Sequence, residues 1–266
     1  MNVRQFFLKI CVVHLLIFIN FGYAKEVKLD SDNRGERRAS VEPRGFLYGI
    51  GMNFNQQIYK DYDQRVTPLP IIGYRGKRLK VYGPFVSYDT HKLNNLTLSL
   101  KLAPRFDGYS EEDGKIFEGM EERKFSFDGG FGIRYEYNDW KASLSGMHDI
   151  LGRSEGYEFS FGLSKVLRIG PIFIEPSVSM SYLDKNYVDY YYGVQSHEAN
   201  FDRSVFSGSD ALNSKVGVAI ATPIFFGGLT RVVIDNMYYD ESITASPLTT
   251  EKDSSYSIML MFSKHF

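Results

Sequence analysis

Four histidines follow residue 24 of this chain, His91, His148, His197 and His265, and they bound the catalytic chemistry it can offer. His148-Asp149 and His197-Glu198 set an imidazole beside a carboxylate, the types a general base and its orienting acid require. Adjacent residues of an extended chain point to opposite faces, however, and neither pair lies in a motif that supplies a nucleophile. No HxxxH spacing occurs, and the single cysteine, Cys11, lies near the N-terminus, so a tetrahedral metal-ligand set is missing as well. A His-x-Ser motif, as in β-barrel lipid A deacylases, is also absent. These residues predict no catalysis, no cofactor and no metal.

A second set of reactive side chains carries charge of both signs: Lys101, Arg105, Asp128, Arg134, Glu136, Lys141, Glu158 and Glu175. Such a set can line a selective aqueous pore. It can equally form a salt-bridged filling that holds a lumen closed. The elements that carry these residues alternate with a period of two. Phe46, Tyr48, Ile50, Met52 and Phe54 oppose Leu47, Gly49, Gly51 and Asn53; Leu96, Leu98, Leu100 and Leu102 oppose Thr97, Ser99, Lys101 and Ala103. The same pattern recurs in 125–137, 157–164, 172–182 and 256–266, and more weakly in 67–75, 79–89, 140–147, 214–222 and 230–239.

A soluble sandwich would turn the apolar face inward, whereas a membrane barrel turns it to lipid and keeps small and polar residues inside. The segments are long enough to cross a bilayer when tilted. Tyr135, Tyr137, Tyr182, Tyr238 and Tyr239 gather at segment ends, and the polar face is mostly Gly, Ser, Ala and paired charges. The fold class is therefore all-β: a transmembrane antiparallel up-and-down β-barrel of about 12 strands. The visible segments number eleven, and bacterial single-chain barrels have even counts. That leaves ten or twelve, with one strand hidden before Asn94 favouring twelve. Pro84 and Pro176 interrupt apparent strands and predict bulges. No segment predicts an amphipathic helix. Short turns after Tyr137, Leu167 and Pro223 alternate with long connections at 107–124, 184–213 and 240–254, which predicts a periplasmic and an extracellular rim.

Residues 1–24 combine Arg4 and Lys9, an apolar run from Ile10 to Phe21, and small residues at Gly22 and Ala24, the pattern of a cleavable signal peptide. About twelve apolar residues are too few to span a bilayer as a helix. Residues 25–44 form a mixed-charge leader expected to be flexible, and 45–266 the barrel. Loss of Arg4 and Lys9 takes the 31 basic residues to 29 against 32 acidic ones, which gives no electrostatic reason for nucleic acid as a partner. The terminal Phe266 fits a closing strand that ends at the periplasmic rim. Outer-membrane lipid is the expected surrounding of a monomeric barrel in a Gram-negative envelope.

The long connections carry a more specific pattern. Arg65 precedes Pro68-Leu69-Pro70; Gly108-Tyr109 precedes Gly119-Met120 and Arg123; Tyr191-Tyr192-Gly193-Val194 precedes Glu198-Ala199 and Arg203; and Ser246-Pro247-Leu248 follows late. In this order the four elements resemble the MipA/OmpV family of outer-membrane proteins. The resemblance implies a scaffold that brings a lytic transglycosylase together with a bifunctional penicillin-binding protein, with OmpV-like relatives linked to adhesion or to osmotic and drug responses. A small-solute channel and a surface adhesin remain the alternatives. Physically the motif residues read as turn and loop chemistry: Gly108, Gly119 and Gly193 for unusual backbone, Pro68 and Pro70 to stiffen an entry. Arg65, Arg123 and Arg203 read as partners for loop acids such as Asp61, Glu121 or Glu198.

Overall fold

A computed structural model describes residues 44–265. The expected signal peptide, the leader up to residue 43 and Phe266 lie outside the described residues. From Gly45 onward the chain forms an antiparallel sheet closed on itself.

The strand segments are β1 (Gly45–Gln56), β2 (Gln64–Arg75), β3 (Leu79–Tyr82), β4 (Phe85–Leu93), β5 (Leu96–Arg105), β6 (Ser126–Tyr137) and β7 (Trp140–Asp149). They continue as β8 (Tyr157–Lys165), β9 (Leu167–Ile169), β10 (Ile172–Leu183), β11 (Ala211–Thr222), β12 (Leu229–Tyr238) and β13 (Ser254–His265). Apart from β8 and β9, which both pair with β10, each pairs with its neighbours in sequence, and β1 pairs with β13 from Leu47↔His265 to Asn55↔Ser257, which closes the ring. The segments β8 and β9 both pair with β10 in one unbroken register, Ser177↔Ser164 and Ile174↔Leu167, so they are two pieces of one wall strand. The wall thus has twelve strands.

The alternation decides which side chains meet lipid. In β1, Ile50 is 65% exposed while Leu47, of opposite parity, is buried. The same parity sends Phe131, Tyr135, Leu144, Phe159 and Phe161 outward. The charged set points inward, and most of it pairs. Arg105 bridges Asp128 and Glu158, Lys141 meets Glu175 at 2.7 Å, and Arg134 lies 3.6 Å from Glu136. Wherever a wall strand pairs on both sides, its ladder groups are satisfied without water, which is why this pattern is stable in lipid.

Two proline expectations need correction. The segment 79–89 is a hairpin, not one bulged strand: Gly83, at φ +56, and Pro84 turn the chain between β3 and β4. This is the strand hidden before Asn94. Pro176 lies in β10 without a register shift; opposite Lys165 and lacking an N–H, it interrupts the ladder where β8 gives way to β9, while the Val166 N–H keeps the β7 register by donating to the Asp139 carbonyl at 2.8 Å. The register shift in the wall falls in β4, between Asp89 and His91. At the short-turn rim, Asn138 and Asp139 both adopt positive φ, as a tight hairpin turn requires.

The expectation of no helix also fails. A helix α1 (Lys185–Tyr192) and a single turn α2 (Glu241–Thr244) form inside the long connections. Asp184 and Asp240 cap their N-termini, accepting from Tyr187 N–H and Ser242 N–H. Tyr187, Val188, Tyr191 and Tyr192, at i, i+1, i+4 and i+5, bury one face of α1, while Lys185 and Asn186 stay exposed; the stripe is amphipathic but only two turns long.

Candidate functional site

The largest buried apolar cluster of the described residues lies among the connections at the long-loop rim. From the β1–β2 connection come Ile58 and Tyr59; from 106–125, Tyr109, Phe117 and Met120; from α1 and its flanks, Leu183, Tyr187, Val188, Tyr191, Tyr192 and Val194; from the last connection, Ile243 and Leu248. Tyr109 stacks on Phe117 with ring centroids 3.9 Å apart, and Tyr59 meets Phe117 edge-on at 5.3 Å and Tyr192 stacked at 5.5 Å. Aromatic rings in such offset and edge-on contacts add to the burial of apolar area. The four connections interlock as a plug.

Polar groups fix the plug's geometry. Tyr59 donates its hydroxyl to the Tyr191 carbonyl at 3.1 Å, Ser246 to the Tyr192 carbonyl at 2.6 Å, and Lys60 to the Pro247 carbonyl at 2.9 Å. Arg123 is the central cation. Its two terminal nitrogens donate to both oxygens of Glu198, at 2.9 and 2.8 Å, while Nε donates to the Tyr190 carbonyl at 2.8 Å. The Glu198 carboxylate also accepts from the backbone of Glu121 and Gln195. Burial opposes its charge, but Arg123 and those two N–H groups outweigh burial and hold the carboxyl below its ordinary range. Burial likewise works against the Arg123 charge, and the facing Glu198 raises its pKa regardless.

Arg203, 2% exposed, binds no acid: it donates to the carbonyls of Glu198, Ile116 and Glu118 and so ties the 106–125 connection to the one after α1. Arg65 does the same from β2, donating to the carbonyls of Phe106 and Gly108 and, from Nε, to the Tyr62 hydroxyl. Below the plug, Arg105 donates to the Tyr187 hydroxyl at 2.8 Å, and that hydroxyl donates to Asp107 at 2.7 Å, which couples α1 to the inner wall. Burial pushes the Tyr59, Tyr187 and Tyr192 phenols well above their ordinary range, so they remain neutral donors.

Most of the motif residues meet here. Tyr109, Met120, Arg123, Tyr192, Glu198, Arg203 and Ser246 belong to the plug or its lock. Gly108, at φ +132, sits where an added Cβ would strike the Arg123 carbonyl, and Gly119 takes φ +74. Gly193 departs from expectation: its φ of −75 suits any residue, and what excludes a side chain is the Asp189 carbonyl against its Cβ position. Pro68 and Pro70 lie in the β2 wall rather than in a loop. Sequence reasoning passed over Phe117, Tyr187, Ile243 and Leu248 as plug members. The signal was present, because connections holding KIFEGM and NYVDYYY are more apolar than solvated loops need to be.

The acid–base pairs do not assemble a catalytic site. In β7, His148 is exposed while Asp149 is buried and caps the following turn through Ser126, Ser154 and the N–H of Leu151. His197 lies 3.3 Å from Glu121, and with Glu198 these place three ligand atoms within 4.8 Å of one another. Both oxygens of Glu198 are already committed to Arg123, so this trio fits an ion pair better than a cation site.

The closed wall, lipid-facing aromatics and polar lumen define an outer-membrane β-barrel with its long-loop mouth filled. Residues 48–266 match the family described as MltA-interacting protein MipA, and the chain belongs to that family. It is 24% identical over 223 residues to the putative outer membrane protein YiaT of Escherichia coli K12, covering 81% of this chain and 89% of that one. It is 23% identical over 158 residues to the MltA-interacting protein of the same organism, covering 58% and 63%. Among solved structures, the toluene transporter TbuX of Ralstonia pickettii aligns over 85% of this chain and 91% of its own, at 9% identity and a TM-score of 0.41.

Proposed function

We propose that this chain is a non-enzymatic scaffold: a monomeric barrel, exported by a signal peptide in residues 1–24, that holds a lytic transglycosylase together with a bifunctional penicillin-binding protein. The observation that carries the reading is the plug. A mouth filled by interlocked aromatic rings and fastened by Arg123, Glu198 and Arg203 suits a rigid platform more than a route for solutes. Kinship with a relative named for its interaction with MltA supplies the class of partner. Short turns in outer-membrane barrels are periplasmic, so the turns at 76–78, 138–139 and 223–228 offer the rim on which murein enzymes would dock.

The test is retention from envelope extract of the same source. Mature 25–266, refolded in detergent and immobilised, is expected to hold a lytic transglycosylase and a penicillin-binding protein that a control barrel does not. If neither is retained while other envelope complexes survive, the scaffold reading fails. A small-solute channel is the second reading, favoured by a cavity of about 190 Å³ between plug and wall, lined by Asn55, Lys215, Asp235 and Ser257 among others. Single-channel conductance decides it.

A further inference from the structure

The barrel wall has an opening on its lipid-facing side. Strand β3 spans four residues and pairs with β2 only at Gly73, Tyr74 and Arg75. From Gln64 to Ile71, β2 therefore has β1 on one side and no strand on the other, about 26 Å of edge at ~3.3 Å per residue. Across the gap, β5 pairs with β4 only up to Leu102, leaving Ala103 to Arg105 unpaired on that side. The β3–β4 turn, Gly83-Pro84, forms the sill, where the Gly83 N–H donates to the Ile72 carbonyl at 3.1 Å.

Unpaired strand edges in lipid are costly, because no water satisfies their backbone groups. The sequence answers this with proline. The Ile72 carbonyl points to the β3 side, so the two-residue period turns the backbone groups of Pro70, Pro68 and Val66 toward the gap. Two of those positions lack an N–H. On the far side, the Asn95 carbonyl accepts from Glu136 and so faces β6; Pro104 then faces the gap, again without a donor. Four of the chain's nine prolines, Pro68, Pro70, Pro84 and Pro104, border this one opening. Edges built this way resist addition of another strand. They also need none.

Arg65 closes the top, reaching from β2 to the carbonyls of Phe106 and Gly108 beyond β5. Phe85, at the hairpin tip, meets Phe106 edge-on at 6.5 Å. Above the frame lies an open cleft of about 300 Å³ whose lining is mixed, with Phe106, Tyr109 and Phe125 beside Asp107, Asp113, Glu122 and Arg123, so the apolar path is the strand edge below it. Val66, Pro68, Pro70 and Ile72 carry the barrel's apolar outer surface without interruption to the edge of the opening.

We propose that this window is a lateral lipid-binding site, taking the acyl chain of an outer-leaflet lipid between β2 and β5 beneath the Arg65 strap. The occupant follows from continuity, since the surface that reaches the opening is the one already in contact with lipid. The scaffold reading does not require this site, and neither depends on the other.

Tryptophan quenching by lipids brominated in their acyl chains tests the proposal in the refolded, reconstituted protein. In a Trp140→Phe background, Thr67→Trp places the probe on an inward position behind the window. Ile72→Trp reports an outward position and Ser145→Trp an inward one behind unbroken wall. Quenching of Thr67→Trp is expected to reach at least half that of Ile72→Trp and at least twofold that of Ser145→Trp. Leu69→Trp, also inward on β2, serves if Thr67→Trp does not fold, and Arg65→Ala is expected to increase quenching by removing the strap. Quenching at the Ser145→Trp level in every folded β2 probe would overturn the site. So would a dimer whose β2 probes escape quenching, since a second copy would then cover the edge.

Discussion

At the scale of single residues, the plug depends on one buried ion pair. The side chains of Arg123 and Glu198 are 6% and 0% exposed, so solvent cannot screen a charge left alone there. Glu198→Gln removes the anion and leaves a buried guanidinium, a change that costs about 3–5 kcal/mol when one partner of such a pair is lost. The expected outcome is at least tenfold faster trypsin cleavage in the 184–210 connection, with the barrel itself still heat-modifiable on gels; unchanged cleavage would mean the pair does not hold the loops. The same pair sets an acid limit. Because the Glu198 carboxyl in the folded protein titrates below its ordinary 4.5, its contribution is complete above that value and is lost as pH falls through the lower, folded pKa. Loop protection against an acid-active protease should therefore decline below pH 4.5 and be insensitive to pH between 5 and 7. Arg123 and Glu198 were readable as candidates through the motif-like segments they sit in and their opposite charges in the long loops, though not as a buried pair. Arg203 was not readable in its role, since nothing in a sequence marks a guanidinium that will bind three carbonyls.

At the scale of elements, the two-residue period identifies a strand and its lipid face without ambiguity where an alternating run is long, as from Phe46 to Phe54. It failed at 79–89, because a four-residue strand is too short to show a period and its turn, Gly83-Pro84, falls inside a run that reads as continuous. It failed again at α1, whose single buried stripe of Tyr187, Val188, Tyr191 and Tyr192 spans only two turns, too short to stand out as a helical period among the tyrosines of a loop. The same hairpin is what opens the wall, and β2 shows how its edge is kept single. Replacing both Pro68 and Pro70 with alanine restores two N–H donors to an unpaired edge. The double variant is expected to associate through that edge and elute from size exclusion in detergent as a dimer or larger species, while the parent elutes as a monomer. A monomeric double variant would show that the prolines do not protect the edge.

At the scale of the whole molecule, the question is whether the barrel is a conduit or a platform, and its cross-section decides. Twelve strands lie between barrels filled by their own side chains and the open porins. Here the inner wall is crossed by the Arg105–Asp128–Glu158 cluster and the Lys141–Glu175 pair, and the plug lies above. The plug is tied to that wall through the Arg105–Tyr187–Asp107 chain of hydrogen bonds, so loops and lumen form one obstruction rather than two. The refolded chain is accordingly expected to show at least tenfold lower single-channel conductance than an open porin measured in the same bilayers. Cutting out 185–206 removes α1 and Glu198 together, leaves the wall strands intact, and should raise conductance severalfold. The two measurements separate the readings. High conductance in the parent would mean the plug yields to solutes and would favour the channel. Low conductance that persists after the excision would place the obstruction in the paired charges of the lumen, and the plug would then be a structure presented to the outside rather than a stopper.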